Sequence, residues 1–188
     1  MRKNNSLPQN CFDINARDTY HGALMSEGLP ERVDAERLAA RGAQLDSVTP
    51  VAAMTRLAGL LADATGGVES ELRFSHESGR PRIDGSARAQ IRVACQRCFE
   101  PMPVALDVEL HLALVKDDAQ ADALPDGVDA ALSIDGHVSP RDLVEDELIL
   151  ALPFAPLHEV DACSVRPAET PATDKQNPFA VLRQLKKR

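Results

Sequence analysis

The chain has 188 residues, 44% of them apolar but only 3% aromatic, with no Trp. That length suits one ordinary domain with residues left over for tails, and its core has to be built from Leu, Val, Ile and Ala. A formal net charge of -8 argues against a uniformly basic nucleic-acid binder, and the scarcity of aromatics against a protein that stacks unpaired bases on exposed rings; a local basic patch or a basic protein partner stays compatible with it.

Residues 1–10 are polar, lack the apolar region of a signal peptide and read as a disordered N-terminus. The spacing of residues 11–65 is mostly helical. Pro30 and Glu31 open a short helix through Leu38, and a second begins near Thr49 with Pro50 at its first position. Val51, Met54, Leu57, Ala58 and Leu61 then form one apolar stripe, read as core, which Gly66 and Gly67 stop. The period next changes to two. Val68, Leu72 and Phe74 alternate with Glu69, Glu71 and Arg73, and residues 76–82, with Gly79 and Pro81, form a turn. Ala87, Ala89, Ile91, Val93 and Cys95 alternate with polar neighbours, as do Val104, Leu106, Val108, Leu110, Leu112 and Leu114. These are three half-buried strands whose short connections favour an antiparallel meander.

Residues 117–131 are acidic and turn-rich and read as a loop; residues 132–138 read as a short strand. Ser139-Pro140-Arg141-Asp142 is a strong helix start. Val144, Leu148, Ala151 and Leu152 share one face of that helix, Glu145, Asp146 and Glu147 lie mainly on the others, and Pro153 ends it. The stretch 148–157 is far shorter than the ~20 residues a membrane-spanning helix needs. The expected organisation is a single α+β domain over residues 11–163, a flexible Pro/Ala/Thr-rich linker over 164–176 and a short basic amphipathic segment over 177–188. The sheet is an antiparallel meander of three to five strands packed by a few helices.

Three ordered pieces carry a family resemblance: Cys95-Gln96-Arg97-Cys98-Phe99-Glu100-Pro101 after an alternating strand; Leu143-Val144-Glu145-Asp146-Glu147-Leu148-Ile149-Leu150-Ala151-Leu152-Pro153, followed by Pro156-Leu157-His158 and Cys163; and the terminal Asn177-Pro178-Phe179-Ala180-Val181-Leu182 with its Leu-Lys-Lys end. Together these resemble the YceD family, the large ribosomal RNA subunit accumulation proteins, most clearly over residues 68–188 and least over 46–65. The resemblance implies a role in the synthesis, processing or stability of large-subunit ribosomal RNA. It brings no catalytic residues with it, and no enzyme and no small-molecule substrate are expected. The expected partners are large-subunit ribosomal RNA or pre-ribosomal particles, met directly or through a protein.

The chemistry concentrates at Cys95 and Cys98. With no membrane contact the expected compartment is the cytoplasm, where four cysteines serve as metal ligands or free thiols rather than disulfides. A two-residue gap on a hairpin knuckle lets both thiolates face one tetrahedral ion, and His158 and Cys163 would complete a Cys3His set for one zinc. The other reading is a pair of reduced structural cysteines. A redox C-x-x-C lacks the following helix that would depress its thiol pKa, and a depressed pKa at Cys95 or Cys98 would revive it. Cys11 reads as a free thiol.

Residues 73–97 carry six Arg against Glu77 and Asp84; residues 100–147 carry thirteen acids against Lys116 and Arg141. Arg88, Arg92 and Arg97 are therefore candidate contacts to RNA phosphates or a partner. Pairing Cys95 with Met102 would set Arg88 opposite Glu109 and Arg92 diagonal to Asp107, neutralising much of that face, with loop residue Arg97 escaping. Arg183, Lys186, Lys187 and Arg188 form a second candidate contact, a basic hook on the linker. The leading function is a binding factor in ribosome biogenesis; the alternative is a zinc-containing, protein-binding adaptor that never touches RNA.

Overall fold

The fold is that of a computed structural model, in which residues 26–165 are described. Thirteen short elements follow one another: β1 Ser26–Glu27, β2 Val33–Asp34, α1 Ala35–Arg41, β3 Gln44–Pro50, a 3-10 turn Val51–Ala53, α2 Thr55–Ala58, β4 Gly67–Glu77, β5 Arg80–Ala94, β6 Pro101–Val115, α3 Asp118–Ala121, β7 Asp129–Leu132, β8 His137–Val138 and α4 Pro140–Leu150. Six strands form one sheet in the order β1-β3-β4-β5-β6-β7, antiparallel except for the edge pairs β1–β3 and β6–β7. β2 and β8 make a small separate antiparallel pair. The class is α+β, with the three alternating strands at the centre of the sheet.

Alternation decides which face is buried. Val68, Leu72 and Phe74 of β4, Ile83, Ala87, Ala89, Ile91 and Val93 of β5, and Leu106, Leu110, Leu112 and Leu114 of β6 point into one core. Ala35 and Ala39 of α1, Val51, Met54 and Leu57 around α2, and Val144 and Leu148 of α4 cover it. Burying a Leu, Val, Ile or Phe side chain is worth about 1.5–3 kcal/mol, so this apolar layer is the main stabilising term. The other face is polar.

The N-terminal third departs from its helical reading. Asp34, not Pro30, starts α1: its side chain accepts from the Arg37 backbone N–H at 2.9 Å, and Gly42, at φ 59°, closes the helix. Thr49 and Pro50 end a strand instead of opening a helix. The apolar stripe does reach the core, but through one 3-10 turn and one α turn. Strand β3 lacks an apolar alternation because Ser47 and Thr49 are its buried residues. Ser47 Oγ lies 3.0 Å from Ser70 Oγ, and Thr49 Oγ1 accepts from the Leu29 N–H at 2.9 Å. These hydroxyls satisfy one another inside the core.

Two further corrections concern residues 117–138. The expected acidic loop contains α3 and most of β7, and the expected strand over 132–138 is split by a turn between β7 and β8. Ser139 caps α4 as its sequence predicts, its side chain accepting from the Asp142 N–H at 3.2 Å. Ala151, assigned to the buried face of α4, is exposed, while Glu145 is 3% exposed. The Glu145 carboxylate accepts the backbone N–H groups of Arg56 and Leu57 at 2.7 and 2.9 Å, and the Arg56 guanidinium at 3.0 Å. It caps the N-terminus of α2, a turn with no capping side chain of its own. Glu145 thus ties α4 to α2 from a buried position.

Candidate metal centre

The knuckle between β5 and β6 grows out of the strand parity. Cys95 continues the inward-facing set of Ala89, Ile91 and Val93 and is fully buried. The Cys95 N–H donates to the Glu100 carbonyl at 3.0 Å, and the Phe99 N–H to the Cys95 carbonyl at 2.9 Å. The reversal requires Phe99 to adopt φ 62°, a left-handed conformation costly for a bulky residue. A tight hairpin that tolerates this must be held by something besides its own turn.

The holding comes from the irregular segment after α4. The Gln96 N–H donates to the Pro156 carbonyl at 2.8 Å, and Arg97 Nη2 donates to the His158 carbonyl at 3.2 Å. These contacts bring His158 and Cys163 to the knuckle. Cys98 Sγ lies 3.3 Å from His158 Nδ1, and the ligand atoms of Cys95, Cys98, His158 and Cys163 all lie within 4.8 Å of one another. Tetrahedral zinc with bonds of 2.0–2.3 Å sets its ligands about 3.5–3.8 Å apart, so the four atoms already approximate such a shell. Softness also fits, with three thiols and an imidazole and no competing carboxylate in the cluster.

The protonation shifts divide the four residues: Cys95 and Cys98 move toward the metal-binding form, Cys163 and His158 away from it. Burial pushes the Cys95 thiol up, but the backbone N–H groups of Cys98, His158 and Arg97 outweigh it and bring the group to about 5. The Arg97 and His158 N–H groups each point at Cys95 Sγ from 3.4 Å. Cys98 is also lowered: burial opposes ionisation, and the Glu100 N–H with Ser164 and Cys163 reverses it. Burial raises Cys163, and hydrogen bonding to Cys98 and Cys95 raises His158. A lowered thiol pKa is also what a redox C-x-x-C needs. Cys95 is fully buried and Cys98 partly exposed, and no helix follows the pair, whereas a redox nucleophile sits at a partly exposed helix N-terminus; the depressed thiols favour the redox reading and the missing helix does not.

The arginines of β5 and the knuckle have acidic or main-chain partners. The β5–β6 register is two residues off the expected one: Val93, not Cys95, lies opposite Met102, and Arg88 opposite Asp107. A slip of two keeps every side chain on its face, so the neutralisation holds with different partners. Arg88 pairs with Asp107 at 3.1 Å, Arg92 with Asp63 at 3.3 Å, and Arg82 with Asp84 and Glu77. Arg97 does not escape into solvent. It is half-buried against the cluster, and its Nη1 is buried without a partner among the described residues. A zinc ion with three thiolates and a neutral imidazole carries one net negative charge, which the adjacent Arg97 guanidinium would balance. Arg183, Lys186, Lys187 and Arg188, with residues 166–188 as a whole, lie outside the described residues.

Sequence reasoning singled out the four residues that cluster, from their chemistry, but missed Arg97 as their neighbour and Glu145 as a cap. No local pattern signals either, since Arg97 reaches a carbonyl 61 residues away and Glu145 a turn 89 residues away. It also missed the exposure of Phe99 and Phe154, for which a signal existed: they are two of five Phe in an aromatic-poor chain, and they flank the ligands.

Comparison with known proteins fits this layout. No solved structure matches the chain. A curated relative from Haemophilus influenzae, large ribosomal RNA subunit accumulation protein YceD, is 35% identical over 114 residues; the match spans 56% of this chain and 66% of the relative's length. The family model for large ribosomal RNA subunit accumulation protein YceD matches residues 83–186, a span that contains the knuckle, α4 and all four clustered ligands, and the chain belongs to the YceD family.

Proposed function

We propose that the chain is a non-enzymatic cytoplasmic factor that promotes accumulation of large-subunit ribosomal RNA, and that Cys95, Cys98, His158 and Cys163 hold one zinc ion as a structural clamp. The observation that carries the clamp is the convergence of four soft ligand atoms within 4.8 Å from segments about sixty residues apart. Zinc bound there would supply cross-linking energy, fixing residues 153–165 to the β5–β6 knuckle and supporting the left-handed Phe99. The family supplies the ribosomal RNA reading, and pre-ribosomal particles are the partner class it points to. A closed ligand set argues against catalysis at the zinc itself: a catalytic zinc keeps an open position, and four protein ligands leave none.

Two measurements test this reading. Metal analysis of the purified chain is expected to give about one zinc per chain, lost in Cys98→Ser. Deleting the gene is expected to lower large-subunit relative to small-subunit ribosomal RNA. An unchanged ratio removes the ribosomal reading; metal-free protein of unchanged stability leaves Cys95, Cys98 and Cys163 as reduced structural cysteines.

A further inference from the structure

The segments that meet at the clamp carry half of the exposed large apolar side chains among the described residues. Phe99 is 74% exposed and Phe154 104%, and Leu157, Val160 and Val165 are also open to solvent. None of the five is more than two residues from a group that joins the two segments: Cys98, the Pro156 carbonyl, the His158 carbonyl or Cys163. All five therefore sit on the two segments that meet at the cluster, on a backbone the clamp would hold still. Exposed large apolar side chains gathered in this way mark an interaction site.

Among the described residues, the exposed charges beside these side chains in the chain are acidic. Glu100, Glu159 and Asp161 are exposed there, and the nearest cation, Arg97, is turned inward to the His158 carbonyl and the ligand cluster. Phosphates would be repelled by such a rim, whereas Lys and Arg side chains would be drawn to it. The sheet's outer face offers RNA no better surface: on β4–β6, Arg73, Arg82, Arg88 and Arg92 face Glu69, Glu71, Glu77, Asp84, Asp107 and Glu109. We infer that the clamp surface docks a basic, apolar-anchored peptide segment of a protein partner. This rests on the clamp reading only in that zinc keeps the patch ordered.

The test uses the full-length chain and an 18-residue fluorescent peptide of Leu and Lys, with leucines at helical i, i+3, i+4, i+7 spacing, against the same peptide with Glu at every Lys. The Lys peptide is expected to bind and the Glu peptide not. Phe154→Ser with Leu157→Ser should weaken binding about tenfold at every salt concentration. Glu159→Lys with Asp161→Lys should weaken it about fivefold at low salt, with the difference fading as salt rises. Equal affinity for the two peptides, or affinity unchanged in both double variants, would overturn the inference. So would tight binding of a large-subunit ribosomal RNA fragment that the apolar double variant abolishes. A gain in peptide affinity when Lys186, Lys187 and Arg188 are all changed to Glu would assign the surface to the chain's own basic end and overturn it as well. Zinc content is measured in parallel: discrimination without zinc sinks the clamp and leaves the docking surface, and zinc without discrimination does the reverse.

Discussion

Replacing Glu145 with Ala tests how α2 and α4 are joined. The substitution removes the acceptor of two backbone N–H groups, those of Arg56 and Leu57, and the partner of the Arg56 guanidinium. A buried donor left unsatisfied costs about 1–3 kcal/mol. The guanidinium is half exposed and keeps Asp146, so the ion pair itself adds little. The expected loss is about 3–4 kcal/mol, or a fall in Tm of roughly 10 °C for a domain of this size. Glu145→Gln retains a carbonyl oxygen for the two N–H groups and should lose only about 1–2 kcal/mol. Urea unfolding of the three proteins, with the slope of the transition unchanged, measures both values. A loss below about 1 kcal/mol in Glu145→Ala, or equal losses in the two variants, would refute the capping argument.

Gly85→Ala is expected to prevent proper pairing of β4 and β5, because an added Cβ would lie 2.2 Å from the Glu71 carbonyl oxygen; soluble protein with an unchanged melting curve would contradict this. At Asp84, burial pushes the carboxyl up, but hydrogen bonds from His111 and Arg82 outweigh it and hold the group below the usual carboxylate range. A depressed folded pKa contributes stability that is present above the unfolded value of about 3.9 and is lost as pH falls through the folded value. The wild-type chain should therefore lose stability on acidification below about pH 4 that Asp84→Asn does not lose, and parallel acid-unfolding curves would refute the assignment.

The sheet's centre was legible because its strands bury alternate Leu, Val and Ile, a pattern only a half-buried strand produces. Strand β3 was not, since the residues it buries are Ser47 and Thr49, which are tolerable inside only through hydroxyl partners on other segments. The register slipped by two because the alternation fixes which face a residue takes but not its partner, and the knuckle residues 95–100 set the pairing. At the site, the ligand identities followed from the softness of thiol and imidazole. Their meeting depended on the Pro156 and His158 carbonyls, backbone groups that no side-chain pattern announces. Arg97 likewise read as a free loop cation because its partner is a main-chain oxygen.

The most direct measurement complements a deletion strain with the wild-type chain, with Cys98→Ser and with Cys163→Ser, at matched protein abundance, and takes the ratio of large- to small-subunit ribosomal RNA. The account predicts that the wild-type chain restores the ratio and that neither ligand variant does. Full restoration by either variant would contradict a clamp at the heart of the function.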